Sequence, residues 1–314
     1  MLRILDARTG EPAAAAPARR GLTRIEAYAS GLDPTALRVL LTADLLVRAL
    51  EMAGTPVWTT LSAPCDRPEL HTAATTLSIR PFEDARGLAS GLGEAQAIHV
   101  VARPRANGAG ADRERGGAVP GGGPVVYVAP VVWEETRARE EGAEGAEGTE
   151  GAERARPDAE PAGDARDGDD APARDVSSAG VSAAPAREGA PSARPPLSGL
   201  LSDPAALRLA LLSVPRSEAV RLDGAVLGEA ARQLAHWRRA VAGWARQPSR
   251  PVPEEVRGRL RAAWEDDLDL PAVLEVLRAV ERAPDLPDGA RFETYAYADR
   301  LLALDLARDL GTLG

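Results

Sequence analysis

The sequence predicts a mixed chain in which a reduced α/β domain with a parallel sheet precedes an antiparallel helical bundle. Residues 22–61 show a strand, a helix and a second strand in succession, which is the pattern of a parallel βαβ unit. Residues 198–314 carry apolar side chains at helical spacing almost throughout. Residues 134–197 have very few apolar side chains. We therefore divide the chain into an α/β domain at 1–133, a linker at 134–197 and a helical domain at 198–314.

In the α/β half, patterns of neighbouring residues predict where the strands and helices begin and end. Residues 22–28 alternate in polarity, as a half-buried strand does. Asp33 and Pro34 predict a helix start, because aspartate caps free N–H groups and proline suits the first helical turn. Apolar residues then continue at helical spacing to residue 52, and Gly54 ends the helix. Further strands are predicted at 2–5, 57–61, 97–102 and 125–133, a short helix at 69–77 and a weak helix at 82–94.

The middle segment is acidic and of low complexity. Residues 134–194 contain 16 acidic residues and 8 arginines, so they hold −8 of the net charge of −9. Residues 141–153 repeat a glutamate at every third position. So few apolar groups cannot offset about 1–2 kcal/mol of backbone ordering entropy per residue, which predicts a disordered acidic linker. A solvated spacer is the simpler interpretation, and an interaction tail is the alternative.

Helix signals recur throughout the last third of the chain. Asp203 and Pro204 repeat the capping pattern, and residues 223–246 form a long amphipathic stretch. Further helices are predicted at 253–264, 270–280 and 295–310, which makes four or five antiparallel helices. Trp237, Trp244 and Trp264 fall on apolar faces and are expected in the core of the bundle.

Composition excludes some classes of protein. All 38 basic residues are arginine and none is lysine, which is typical of a GC-rich coding sequence. Cys65 has no second cysteine with which to form a disulfide, and no apolar run reaches the roughly 20 residues of a membrane span. Outside the linker the chain is nearly neutral, so it has no general attraction for nucleic acid. We expect a soluble, cytoplasmic protein without a membrane partner.

Several stretches resemble cysteinyl-tRNA synthetases. Residues 203–213, 216–217, 236–241 and 260–274 are similar to the helical bundle of that family, and the last stretch resembles its Asp-Asp-Asp-Leu-Asn-Thr-Pro motif. A similar bundle occurs in the mycothiol-pathway cysteine ligase, which acts on an amino sugar. Residues 43–50 and 77–81 resemble parts of the family's nucleotide-binding fold. The resemblance implies a reduced Rossmann-like domain and a bundle that binds tRNA.

The same resemblance implies ATP and zinc as cofactors, yet the matching positions lack the required side chains. The ATP-binding His-Ile-Gly-His motif falls on Asp33, Pro34, Thr35 and Ala36. The first zinc ligand falls near Arg24, and a cation is not a ligand. The Lys-Met-Ser-Lys-Ser loop cannot be present among residues that include no lysine. We therefore predict no catalytic residue, no metal and no cofactor.

Other candidate sites have simpler explanations. A nucleophilic pair of Cys65 and His71 is conceivable, whereas His99 is expected in the core or rim of the sheet and His236 in solvent. Glycines at 87–93 and 121–124 lack the spacing of a phosphate loop. The aspartates near residue 267 are interpreted as helix-cap and surface residues. Arg238, Arg239 and Arg246 could form a basic stripe for tRNA or a partner, although a solvated helix face is the simpler explanation.

The sequence thus predicts a cysteinyl-tRNA synthetase-like protein that has lost its chemistry and acts as a binding or accessory protein. A protein partner is expected, with tRNA as a lesser alternative. It could instead be an active ATP-dependent cysteine ligase with a diverged site and a tRNA or amino-sugar acceptor. A third alternative is a factor that binds a genuine synthetase.

Overall fold

The computed structural model describes residues 1–16, 21–84, 94–104, 122–134 and 197–311. These residues belong to one compact unit, which includes parts of both the α/β half and the helical half. Almost all of the linker predicted at 134–197, and the glycines at 87–93, lie outside the described residues. Among the described helices, none combines the length and the apolar character that crossing a bilayer requires.

A parallel sheet forms the centre of the α/β half. Two short strands precede it, β1 (Arg3–Leu5) and β2 (Pro12–Ala14), which pair with each other in antiparallel orientation. The sheet itself consists of β3 (Leu22–Tyr28), β4 (Val57–Ser62), β5 (Glu83–Asp84), β6 (Glu94–Ala102) and β7 (Val125–Val128). All neighbours are parallel, in the order β5-β4-β3-β6-β7. The order reverses between β3 and β6, as in doubly wound α/β folds, so the predicted parallel α/β class is confirmed.

Two details of the predicted strands are wrong. The strand predicted at 125–133 is two strands, because β8 (Val131–Trp133) leaves the sheet after Pro130 and pairs in parallel with β9 (Val220–Leu222). Proline lacks the N–H that a ladder needs, so the strand breaks there. The weak helix predicted at 82–94 is also wrong at its start, where Glu83 and Asp84 form β5 instead. Tertiary pairing with β4 overrides the weak local preference.

Helix α1 (Pro34–Met52) lies against the sheet, and α2 (Arg67–Thr76) packs on α1. Ile25 and Ala27 of β3 are buried in one hydrophobic core with the leucines of α1. Strand residues alternate between the two faces of a sheet, so Arg24, Glu26 and Tyr28 lie on the other face. One face is thus apolar and covered by α1, whereas the other carries polar side chains.

The last third of the chain is helical. Its helices are α3 (Leu197–Leu200), α4 (Pro204–Leu212), α5 (Gly224–Trp244), α6 (Glu254–Glu265), α7 (Leu270–Arg282) and α8 (Asp288–Leu302). Asp203, Asp223 and Asp269 each accept a hydrogen bond from the backbone three residues later, which explains why α4, α5 and α7 begin where they do. Helix α8 begins before the predicted residue 295 and ends at residue 302, where Ala303 takes a left-handed conformation. Trp237 and Trp264 are buried, as predicted, whereas Trp244 is half-buried and packs against the core.

Arg38 joins α1 to the helical half. Its side chain is buried, and its guanidinium group donates to the carbonyl oxygens of Ala129, Val214, Pro215 and Glu218 at 2.6–3.0 Å. Burial, together with nearby Arg216, lowers the pKa of Arg38 to about 10, so the group stays charged at neutral pH. The four carbonyl oxygens replace the water that a buried cation loses. They come from the end of the sheet and from the segment after α4, so one side chain holds both in place.

A second buried cation makes a similar connection further along α1. Asp44 is buried and accepts hydrogen bonds from Arg208 of α4 at 3.0 Å and from Arg48 at 2.8 Å. Arg208 also donates to the carbonyl oxygens of Leu77 and Leu302. Helix α1 therefore contributes two buried polar contacts to the joint between the sheet and the helices.

Replacing Arg38 by methionine should lower the free energy of unfolding by about 3–5 kcal/mol, because the buried carbonyl oxygens would lose their donor. Urea unfolding followed by tryptophan fluorescence measures this loss. Arg246→Met, which replaces an exposed arginine two residues after α5, should change stability by less than about 0.5 kcal/mol. Equal losses in the two variants would show that the carbonyl contacts of Arg38 are not what holds the joint.

Candidate functional site

Ligands of doubly wound sheets bind beyond the carboxyl ends of the strands, where the strand order reverses. In this chain that place is the end of β3, where residues 29–33 lead into α1. All four positions matched to the ATP motif lie here. Asp33 is the N-cap of α1, and its Oδ1 accepts from the Ala36 N–H at 2.8 Å. Pro34 is the first helical residue, and Thr35 Oγ1 accepts from the Val131 N–H at 3.1 Å.

The turn between β4 and α2 closes this loop from the other side. Asp66 Oδ2 accepts from the Leu32 N–H at 3.1 Å, and Cys65 Sγ lies 3.5 Å from the Ser30 carbonyl oxygen. Asp66 holds a left-handed conformation with φ of 55°. Asp33 and Asp66 thus place two carboxylates at the entrance to α1. The sequence pointed to Asp33, but only the fold brings Asp66 beside it.

Cys65 is poorly suited to act as a nucleophile. Desolvation and the neighbouring Asp66 carboxylate raise the pKa of its thiol, which keeps it protonated at neutral pH. The structure gives Cys65 and His71 different partners, because His71 Nε2 lies 3.4 Å from Asp84 Oδ1. Their conceivable pairing therefore gains no support from the geometry. Among the residues that the structure describes, no group of three or more His, Cys, Asp or Glu side chains could hold a metal ion.

The polar face of the sheet carries a row of side chains that sequence reasoning missed. Thr60, Glu26 and His99 lie opposite one another on β4, β3 and β6, and all three are buried. Arg24, matched to the first zinc ligand, also lies on this face, and its Nη1 is 3.3 Å from Glu26 Oε2. Alternating polar residues at 24, 26 and 28 were the available signal, because a covered parallel strand is usually apolar.

His99 is the most perturbed group in this row. Its Nδ1 lies 3.2 Å from the Tyr28 hydroxyl and 3.6 Å from Glu26 Oε2. Desolvation, with smaller contributions from Arg24 and Arg8, lowers the pKa of His99 to about 4. The ring is therefore neutral at neutral pH. His99 lies in the sheet core, as predicted.

The basic stripe predicted at Arg238, Arg239 and Arg246 is only partly exposed, and Arg246 lies two residues beyond the end of α5, not on the helix as predicted. Arg238 donates to the carbonyl oxygens of Leu304 and Asp305 at 2.7 and 3.0 Å, so it holds the segment after α8. Arg239 and Arg246 are exposed. Arg232, which the sequence analysis did not include, is also exposed and pairs with Glu229. His236 faces solvent, as predicted, and its Nε2 makes a hydrogen-bond contact with the Glu281 carboxylate.

The fold defines an α/β protein with a parallel sheet whose strand order reverses and with appended helices, a class that includes many enzymes and binding proteins. No family model matches the chain. Over 72 residues, 23% of its length, the chain is 46% identical to the L-cysteine:1D-myo-inositol 2-amino-2-deoxy-alpha-D-glucopyranoside ligase of Streptomyces griseus subsp. griseus. The match spans 17% of that enzyme. This similarity supports the resemblance to synthetase-like cysteine ligases that the residues indicated.

The protein should lose stability as the pH falls from about 6.5 to 4. Because the folded-state pKa of His99 lies below the unfolded value, the unfolded chain takes up a proton first in this window. Through this one group the free energy of unfolding should fall by about 2–3 kcal/mol, and none of this fall should occur above pH 7. Urea unfolding at a series of pH values measures it.

The variant His99→Gln cannot titrate, so its stability should fall less over the same pH range. His236→Gln, which removes an exposed imidazole, should retain the acid sensitivity of the unmodified protein. If His99→Gln shows the full loss, the acid sensitivity belongs to other groups.

Proposed function

We propose that this chain is a cysteinyl-tRNA synthetase-like protein that no longer activates cysteine and that acts by binding a protein partner. The observation that carries the proposal is the position of Asp33. Its carboxylate occupies the N-terminus of α1, at the carboxyl end of the central strand. That is where a doubly wound sheet otherwise presents free N–H groups to a phosphate. The N-terminus of α1 therefore already has an anion beside it, and that anion is the Asp33 carboxylate of the same chain.

Electrostatics favour the loss of triphosphate binding. A phosphate oxygen about 4 Å from the Asp33 carboxylate would be repelled by about 4 kcal/mol at an effective dielectric constant near 20. The α1 macrodipole attracts an anion by only about 0.3–1 kcal/mol. Asp66 adds a second negative charge on the other side of the loop. Residues 29–36 include no cationic side chain to offset these charges, so within this loop repulsion outweighs attraction.

The surface that we propose for a partner is an arginine stripe defined as Arg232, Arg239 and Arg246, all of which are exposed. Arg232 and Arg239 are seven positions apart on α5, so they lie on nearly the same side of the helix about 10.5 Å apart, and Arg246 follows two residues after the helix ends. Small residues, Ala235 and Gly243, lie between them and leave the guanidinium groups accessible. Such a stripe suits a protein surface with spaced carboxylates. Arg238 is not part of it, because its guanidinium group is engaged within the chain.

One observation favours a second function. The 46% identity to a cysteine ligase over 72 residues would be explained equally by an active ligase. In that case the chain would join cysteine to a tRNA or an amino sugar in an ATP-dependent reaction. The reaction would need groups other than the histidines and lysines of the synthetase motifs.

Purified protein should show no cysteine-dependent exchange between ATP and pyrophosphate, because the triphosphate has no cationic or histidine partner in the loop. Exchange assays beside an active cysteinyl-tRNA synthetase measure this. A cysteinyl-adenylate analogue should not raise the melting temperature. Exchange above background, or a saturable rise in melting temperature, would favour the ligase.

Asp33→Asn provides a matched control. Asparagine caps a helix about as well as aspartate, so the fold should be retained while one charge is removed. Weak ATP binding, absent from the unmodified protein, should then become measurable by thermal shift. If Asp33→Asn and the unmodified protein respond identically, Asp33 is not what excludes ATP.

Replacing both Arg239 and Arg246 by glutamate should abolish capture of the partner in cross-linking and affinity purification, because the charge of the stripe would be reversed. Arg259→Glu with Arg261→Glu, two exposed arginines of α6, makes the same charge change elsewhere and should leave capture intact. Equal capture by both double variants would exclude the α5 stripe. If the α5 double variant loses binding to purified tRNA instead, the partner is the nucleic acid.

A further inference from the structure

The loop between α5 and α6 carries an exposed serine in a proline-rich segment. Residues 248–253 form no helix, strand or turn, and three of the six are proline. Proline favours extended backbone, so an enzyme can bind this segment without first unfolding a helix. Ser249 is exposed between Pro248 and Arg250. Its hydroxyl is therefore accessible to an enzyme that modifies side chains on extended backbone.

The charges around Ser249 form a pattern that kinases recognise. An arginine lies three positions before this serine and another directly after it, and kinases select substrates by such charge patterns. Among the serines and threonines that the structure describes, two others have an arginine three positions earlier, Thr23 and Thr294. Both are 0% exposed, so an enzyme cannot reach their hydroxyls. Of these three hydroxyls, that of Ser249 alone combines the charge pattern with access.

A phosphate on Ser249 would change the contacts of this loop. The hydroxyl donates to Glu293 Oε1 of α8 at 2.7 Å. A phosphoserine carries about 1.5 to 2 negative charges at neutral pH and would be repelled by the Glu293 carboxylate. Arg246 and Arg250 are exposed in the same loop. Arginine binds phosphate through charge-assisted hydrogen bonds that are often bidentate, so the phosphate would leave Glu293 and pair with these arginines.

We propose that Ser249 is a phosphorylation site for an arginine-directed serine kinase, and that its phosphate removes Arg246 from the arginine stripe. The γ-phosphoryl group of ATP passes to Ser249 Oγ as the bond from the γ-phosphorus to the departing ADP oxygen breaks, and the hydroxyl proton passes to the kinase's aspartate base. The phosphate offsets the charge of Arg246, so phosphorylation weakens binding of the acidic partner. This regulatory effect rests on the proposed function of the stripe, whereas the modification itself does not.

The site is tested by treating the full chain with ATP and the catalytic subunit of cyclic-AMP-dependent protein kinase, followed by peptide mass spectrometry. Every sample carries Ser177→Ala, because Ser177 lies outside the described residues and also follows an arginine by three positions. We expect phosphate at Ser249, none in Ser249→Ala, and full incorporation in Ser202→Ala, an exposed serine without that arginine. Arg246→Gln should slow the reaction at least about tenfold. An unmodified Ser249, or an unchanged rate in Arg246→Gln, would refute the site.

Two measurements test the effect of the phosphate. In a ³¹P NMR titration its midpoint should lie below about 6, the usual second pKa of phosphoserine, because arginine favours the dianion. The phosphorylated chain should capture at least about tenfold less partner than Ser249→Ala treated identically. A midpoint of about 6 or above, or equal capture, would overturn the regulatory effect. If the unmodified chain captures no partner, the proposed function fails, whereas the phosphate position and the midpoint still decide whether Ser249 is modified and paired with arginine.

Discussion

Helix α1 depends on two buried guanidinium groups for its attachment to the rest of the chain. Arg38 on α1 donates to four backbone carbonyl oxygens, and Arg208 on α4 reaches back to Asp44 of α1. A buried cation is tolerated only where its hydrogen-bonding capacity is met, so these contacts specify how the parts fit together. Apolar packing alone would hold the same surfaces together with less directional preference. The geometry of the loop before α1 therefore rests on contacts made by the helical half.

This attachment also explains the character of the candidate site. The loop at residues 29–33 is held by Asp33 from within and by Asp66 from the neighbouring turn. The two contacts satisfy the backbone N–H groups of Leu32 and Ala36. The loop therefore holds two carboxylates, although it lies where a doubly wound sheet binds phosphates. The physical argument for a binding protein over a ligase comes from that combination.

The polar face of the sheet and the half-buried Arg216 side chain are separate features with a common cause. In both, ionisable groups lie in places where water has been removed. At His99 the response is a lowered pKa and a neutral ring. At Arg216 the charge persists, because guanidinium groups remain protonated, and a donor is left without an acceptor. Histidine can give up its charge in a dry site, whereas the charge of arginine persists and is offset by a carboxylate, here that of Asp267.

The sequence by itself determined the local elements. Alternation at 22–28, the Asp-Pro caps and the long apolar stripe of α5 predicted β3, α1, α4 and α5, because these signals act between residues close in the chain. The position of Asp33 at the start of α1 was also predictable. Only the tertiary structure decided that Asp66 reaches Leu32, that residues 131–133 pair with β9, and that Arg238 is engaged whereas Arg239 is exposed. Those outcomes depend on partners 34 to 89 residues away, and no local pattern of polarity encodes which distant backbone group a side chain will meet.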